Sequence, residues 1–466
     1  MADLLDAFPY RDRFPVQRQL PEHGRARAEV LAELTELAAE EDATWAQGTC
    51  SGTIYHGDHD HYAFLGQAFS LFSHQNALQR DMCPSATRFE GEIIAMALDT
   101  FHAEAIEGST PAGLVTSGGT DSILHAMLCY REAAQARGVS RPTLVKPETA
   151  HPAFAKAAHL FGMGLTVVPV DPITTLVDPE ALLATVDEDT AVVVASAGNY
   201  PYGTVDPIPE IAARTAALGV GLHVDACLGG FVLGFLPEDT PGLRRFDFRL
   251  PGVSSISADT HKYGYGLKGT STVLFRDIAL RNRAYFRVPD WSGGKYYSPG
   301  LAGSRSVGLL AATWSAMVTT GRRGYAARSA ALHATAQRLR AVVIATPGLR
   351  VIGDSPFVVA FGSDDVHIYH VNDALRQRGW RLNGLQYPDA LHLAVTGPQL
   401  QPGVVERFHD DLAAAVAYAR ERQGTPPKSA ALYGGVPGGL TPAASMFITS
   451  VMTQLMDAQQ SVPADR

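Results

Sequence analysis

The sequence predicts an α/β protein: a large domain built on a parallel sheet, followed by a smaller α+β domain. Three observations point there. From about Gly91 to Phe275, strand-like and helix-like segments alternate. The strand-like segments are continuously apolar, as strands covered by helices on both faces are. After about Arg305 the pattern changes to a long helical stretch followed by short strands and helices.

In chain order, residues 1–45 read as an arm, with a Pro-rich lead and a helix from about Gly24 to Glu41, rich in the helix formers Ala, Leu and Glu. Thr44 to Phe89 reads as a loop-rich stretch with many His and aromatic residues. In the large domain, Leu114–Thr116 is a short strand. It is followed by the turn Ser117-Gly118-Gly119 and a helix to about Ala136. Ala191–Ser196 is a strand, Ile208–Leu218 a helix, and Gly221–Val224 and Ser254–Ala258 are further strands. Beyond Arg305, a helix-rich segment runs to about Ala345, then strands at Arg350–Ile352 and Phe357–Phe361. A helix at Ile368–Arg378, a strand at Leu391–Val395 and a helix at Val404–Arg422 complete the domain, with a frayed tail after Gln454. The expected division is 1–90, 91–305 and 306–466.

The composition narrows the function. Hydrophobic residues make up 46% of the 466 and charged residues 18%, enough apolar material for a packed core. The formal net charge is −9 and no long Lys/Arg run occurs, which argues against a general nucleic-acid binder but not against a small anionic substrate. No apolar stretch reaches 18 residues, and the N-terminus lacks a secretory signal pattern. Four scattered cysteines without a C-x-x-C pair read as reduced thiols of a cytoplasmic protein.

Three features in the large domain belong together. Ser257-Ala258-Asp259-Thr260-His261-Lys262 ends a strand, and a lysine so placed suits a Schiff base with an aldehyde cofactor. Asp225, in His223-Val224-Asp225-Ala226, ends another strand 37 positions earlier. A carboxylate there can keep the pyridine nitrogen of pyridoxal phosphate (PLP) protonated, which makes the ring an electron sink. In Thr116-Ser117-Gly118-Gly119-Thr120, glycines before a helix let the backbone approach an anion at the positive end of the helix dipole. Singly, these features read as a surface lysine, a helix cap and an ordinary turn. In this order, each at a strand end, they predict PLP dependence. His151 lies between the cradle and Asp225 and can stack on the pyridine ring.

With those residues on the page, the chain resembles the sphingosine-1-phosphate lyase family of fold-type I PLP enzymes, relatives of the group II amino-acid decarboxylases. The likeness covers about residues 45–450 and rests on SGTIYHGD (51–58), TSGGTDSI (116–123), SAGNYPYGTVDPI (196–208), HVDACLGGF (223–231) and SADTHKYGYGLKGTS (257–271). SPGLAGSR (298–305) and WRLNGLQYP (380–388) add to it. The resemblance implies a mainly parallel seven-stranded sheet in the large domain, a smaller C-terminal α+β domain and a homodimer. It implies PLP on Lys262, phosphate contacts from Ser117, Gly118, Gly119, Ser257 and His261, and one from Gly303 of the partner subunit. His151 matches the ring-stacking histidine and Asp225 the pyridinium partner, while Asn199 matches no assigned contact. Tyr55, Asn76, Lys268 and Tyr433 match positions that bind the substrate's own phosphate, and Tyr296 an aromatic near the reacting carbons.

Two departures stand out. The family histidine three residues after Asn76 is Gln79, with Arg80 beside it as the one cation that could stand in. The residue after Arg305 is Ser306, where the family more often has a Pro. His56, His59 and His61 form an H-x-x-H-x-H pattern that could hold a metal but lies in the loop lining the PLP site in this family, and no metal is expected. No stretch resembles the membrane-anchoring helix of the eukaryotic members, so a soluble bacterial-type member is expected. The expected reaction is retro-aldol cleavage of the Cα–Cβ bond of a phosphorylated 2-amino-3-hydroxy substrate, giving an aldehyde and an aminoethyl phosphate, with Lys262 and Tyr296 as candidate bases. A PLP amino-acid decarboxylase is the main alternative. Another aldolase-like PLP reaction and a non-enzymatic protein that keeps the fold are lesser ones.

Overall fold

The computed structural model describes residues 9–435 and 441–460. The large sheet has seven strands: β1 Ala112–Thr116, β2 Thr143–Pro147, β3 Gly164–Val168, β4 Thr190–Ser196, β5 Gly221–Asp225, β6 Val253–Ala258 and β7 Ser271–Phe275. Their spatial order is β1-β7-β6-β5-β4-β2-β3. Only β7 is antiparallel to its neighbours, β1 and β6. The central strand β4 reads Thr-Ala-Val-Val-Val-Ala-Ser and is buried at every position, as a strand between two helix layers must be.

The seven strands match the expected number, but only four of them stand out segment by segment in the sequence. Strands β2, β3 and β7 lack the uninterrupted apolar run that identifies β4. β3 is the sheet edge and alternates in exposure, and β2 carries Lys146 and Pro147. Lys146 Nζ donates to the carbonyls of Pro147 and Ala150, so its charge ends in hydrogen bonds.

The second sheet, β10 Leu349–Ile352, β11 Val358–Ser363, β12 Asn383–Leu385 and β13 Ala390–Ala394, is antiparallel in the order β10-β11-β13-β12. A helix over Val307–Ala345, broken at Gly321 where φ is 60°, joins the two sheets. Ser306 caps it by accepting from Leu309 N–H at 3.2 Å, which gives that departure a structural role. A two-stranded ribbon, β8 Phe286–Val288 and β9 Tyr296–Ser298, stands apart from both sheets.

Two expectations are corrected. Residues 44–89 are not mainly loop: a helix runs over His59–Leu71, capped by Asp58, which accepts from Asp60 N–H at 3.0 Å. The C-terminal segment does not fray at Gln454. A helix spans Pro442–Gln460, where Ala, Met and Gln favour helix, and the Thr441 hydroxyl accepts from Ala444 N–H. Among the described residues, no helix is long and apolar enough to cross a membrane. The four cysteines are free.

Candidate active site

The ends of β1, β4, β5 and β6 open on one cavity of about 490 Å³. Ligands in α/β sheets bind at this edge, because strand ends leave it as turns whose side chains converge. Lys262 follows β6. Its Nζ lies 2.9 Å from Asp259 Oδ2, and the Ser271 hydroxyl donates to the other oxygen at 2.6 Å. Burial works against the ammonium, but the Asp259 carboxylate outweighs it, so Lys262 is held well above the usual lysine range. Asp259 stands in the quoted motif without a role. It is the group that fixes the lysine.

Asp225 closes β5 and faces the cavity. One of its oxygens accepts from Cys227 N–H at 3.0 Å and lies 3.4 Å from the Ser257 hydroxyl. Behind it, the fully buried His223 bonds Ser255 and Ser257, and burial brings that imidazole down to about 4 despite the nearby Asp225. The Ser257 hydroxyl, expected at the phosphate, bonds within the chain to His223 and Asp225, because that is the face the strand gives it.

The cradle itself is Ser117-Gly118-Gly119 before the helix Gly119–Ala136. A Cβ on Gly119 would sit 2.8 Å from both Asp259 oxygens and 3.1 Å from Cys227 Sγ, so only glycine fits. Asp121, in the first helical turn, accepts from Ser117 N–H at 2.9 Å and from its hydroxyl at 3.0 Å. His261 lines the same cavity, its Nδ1 bonded to the Thr270 carbonyl, and burial lowers its pKa. His151 lines it too. Its Nδ1 accepts from Ala153 N–H at 3.1 Å, and burial pushes the ring down against the pull of Asp225. An anion cradle that excludes a Cβ, a lysine, a buried carboxylate and a flat imidazole on one cavity fit PLP. Lys262 would carry it, the 117–119 turn would hold its phosphate, and Asp225 its ring nitrogen.

Beside Lys262, Lys268 Nζ rests 4.5 Å from the centre of the Tyr55 ring, and the Tyr55 ring meets Tyr263 edge-on at 5.0 Å. Burial, and then the charge of Lys262, bring Lys268 down to about 8. Tyr200 lines the cavity and is electrostatically coupled to Tyr433 and Lys262. Its place in Asn199-Tyr200-Pro201-Tyr202, just past the end of β4, is the signal the sequence holds for it. Asn199 shapes that turn, donating to Thr204 and accepting from Tyr202 N–H.

Other expected site residues lie elsewhere in the chain. Gly303 and Tyr296 line a separate, largely apolar cavity of about 1080 Å³ that also takes in Ala77, Leu78 and Arg80. Asn76 bonds the Ser304 hydroxyl at 2.9 Å and accepts from Arg305 N–H, tying its loop to the Gly303 loop. Gln79 is exposed. Arg80 does not replace the missing histidine cation: its guanidinium is committed to the buried Glu90, which Arg305 also holds at 2.7 Å. His56, His59 and His61 do not converge. His56 and His61 stack face to face, while His59 sits 3.8 Å from Asp42 and against the Trp45 ring.

The fold and this site define a fold-type I PLP-dependent enzyme. A pyridoxal-dependent decarboxylase conserved domain matches residues 11–360. The chain is 39% identical over 418 residues to the sphingosine-1-phosphate lyase of Dictyostelium discoideum, covering 89% of this chain and 78% of that one. It superposes on a sphingosine-1-phosphate lyase structure from Burkholderia pseudomallei with TM-score 0.89 and 50% identity, over 96% and 99% of the two chains. A Lactobacillus brevis glutamate decarboxylase, at TM-score 0.76 and 20% identity over 90% and 98%, shares the fold. The chain belongs to the sphingosine-1-phosphate lyase family within the pyridoxal-dependent decarboxylases, and it is a PLP-dependent lyase.

Proposed function

We propose that this lyase cleaves the Cα–Cβ bond of a phosphorylated 2-amino-3-hydroxy substrate of the sphingoid-base-phosphate kind, releasing an aldehyde and an aminoethyl phosphate. The observation that carries the reading is Lys268, a second ammonium that feels the charge of Lys262 and rests, solvent-exposed, on the Tyr55 ring. A cofactor lysine needs no second cation next to it, whereas a substrate with its own phosphate does.

When bound, PLP supplies an electron sink that takes up the pair of the breaking bond. Asp225, with one oxygen fixed by Cys227 N–H, would hold a proton on the ring nitrogen. Asp259 positions Lys262 Nζ. Lys268, Tyr55 and Tyr433 orient the distal anion so that the Cα–Cβ bond is the one aligned for cleavage. The substrate's β-hydroxyl loses its proton, the bond breaks, the aldehyde leaves, and Cα takes up a proton. Lys262 and Tyr296 are the candidate carriers of those protons.

Two copies of the chain complete the site. The support is that Gly303, Tyr296, Asn76 and Gln79 lie away from the Lys262 cavity, on a face with Leu78, Phe286, Trp291 and Tyr297 all more than half exposed. An apolar face of that kind on a stable fold suits a protein partner. The chain divides into an arm over 1–90, a PLP domain over 91–305 and a small domain over 306–466, and it works in the cytoplasm. The deciding experiment incubates the PLP-loaded protein with phosphorylated 2-amino-3-hydroxy compounds and with amino acids. An aldehyde with an aminoethyl phosphate supports the proposal, and carbon dioxide from an amino acid overturns it.

A further inference from the structure

The stacked pair His56–His61 has no part in the chemistry above, yet it touches the segment that carries both site lysines. Tyr265 lies midway between Lys262 and Lys268, three residues from each. Its φ is 61°, a left-handed conformation that a bulky residue adopts only when its surroundings enforce it. Those surroundings are specific. His61 Nε2 is 2.7 Å from the Tyr265 carbonyl. A carbonyl only accepts, so Nε2 carries the ring proton.

His56 stacks on His61 with ring centres 3.7 Å apart and planes 9° apart, and it meets the Tyr265 ring edge-on at 5.2 Å. Arg328 Nη2 lies 3.4 Å from His56 Nδ1, and its guanidinium lies over the Tyr265 ring. A guanidinium only donates, so His56 is neutral. From the joining helix, Tyr325 stacks on Tyr265 and donates to the Gly264 carbonyl at 2.8 Å. The same early loop supplies Tyr55, on which Lys268 rests.

We infer that His61, backed by His56, is a positioning residue that sets the placement of Lys268 relative to Lys262 by fixing the backbone turn at Tyr265. The inference deepens the proposed function, because it rests on Lys268 reading the substrate's anion. Lys262 has its own anchor in Asp259, so loosening the turn falls on Lys268. The histidines thereby act as a brace between the N-terminal segment and the lysine loop.

The test uses the holoenzyme with His61→Phe, which keeps the stacked ring but has no donor, and His61→Gln, which keeps an N–H donor without the ring. If His61→Phe does not fold, His61→Asn replaces it, its amide being one methylene too short to reach. The expected result is a KM for a phosphorylated substrate raised about tenfold, the scale of one lost hydrogen bond. kcat and cofactor absorbance should stay near wild type, amide hydrogen exchange should be faster over 263–268, and His61→Gln should restore KM to within about threefold. Unchanged exchange and KM in the donor-less variant, or equal damage in His61→Gln, overturns the inference. A wild-type enzyme indifferent to the substrate's phosphate would sink the functional reading instead. Exchange over 263–268 then decides alone: faster without the donor than with it supports the brace, and equal rates remove it.

Discussion

The Lys262 cavity and the Tyr296–Gly303 face are built in opposite ways. The cavity collects the ends of β1, β4, β5 and β6, so its groups are set by one sheet, and Asp225, Cys227 and Asp259 among them are buried. The other face is made of a loop at 76–80, a free-standing ribbon and the turn before Arg305, and its large side chains are exposed. The first region gathers Lys262, Asp225, His151 and the 117–119 turn from one chain. The second holds Tyr296 and Gly303, which line a cavity apart from that of Lys262. In the proposed dimer, a second copy brings Gly303, Tyr296, Asn76 and Gln79 to the site where Lys262 and Lys268 stand.

The largest effect expected is at the cavity. Lys262→Ala should lose turnover entirely and, with it, the visible absorbance of bound cofactor, while PLP remains weakly held through its phosphate. Covalent cofactor recovered from that variant after borohydride reduction would show that another residue bears it. Next comes a direct test of the split. Tyr296→Ala, whose side chain is partly exposed and so tolerable to the fold, should be inactive alone. Dissociated, mixed with Lys262→Ala chains and reassembled, it should recover about a quarter of wild-type activity, since half the dimers then hold one intact site. No recovery in a mixture shown by mass spectrometry to contain hybrids would mean that each site is built from one chain.

The same contrast explains what could be read in advance. Lys262, Asp225 and the 117–119 turn are legible because each is a short local signal at the end of an apolar run, and strand ends meet on one edge of a parallel sheet. β4 and the helix Ile208–Leu218 are legible for the same local reason. What depends on partners distant in sequence is not. The commitment of Arg80 to Glu90, of Asp259 to Lys262 and of Ser257 to Asp225 follows only from packing. The reversal of β7 is likewise a property of the assembled sheet, since antiparallel and parallel strands look alike over five residues. The helix over His59–Leu71 is hidden by its polar start, His-Asp-His, which reads as loop until Asp58 is seen capping it.

On the substrate side the expected effects are smaller. Lys268→Ala should lower kcat/KM for a phosphorylated substrate by roughly tenfold to a hundredfold, the loss of one charge-assisted contact. Its effect on a non-phosphorylated analogue and on PLP affinity should be slight. Equal losses on both substrates would mean that Lys268 does not read the phosphate. The pH dependence sharpens this. Burial and the Lys262 charge put Lys268 near 8, so its cation is present below that value and disappears as pH rises through it. The preference for the phosphorylated substrate should therefore decline above about pH 8. Lys268→Arg, with a group that stays charged, should hold the preference flat across the same range.

The smallest effect is a gain. The resemblance puts Gln79 at a position expected to be histidine, and a glutamine donates hydrogen bonds without charge. Arg80 cannot make up the difference, because Glu90 and Thr87 occupy its guanidinium. Gln79→His should then raise kcat/KM for a phosphorylated substrate about threefold to tenfold, and more at pH 6 than at pH 8, since an ordinary imidazole is protonated below about 6.5. Gln79 is exposed and belongs to the face outside the cavity, so its benefit should act across the interface. A chain carrying both Gln79→His and Lys262→Ala, assembled with wild-type chains, offers its histidine to the wild-type chain's lysine. The hybrid's single working site should show the whole gain. A gain seen in the Gln79→His homodimer but missing from this hybrid would place Gln79 at its own chain's site and remove the division of labour between the two regions.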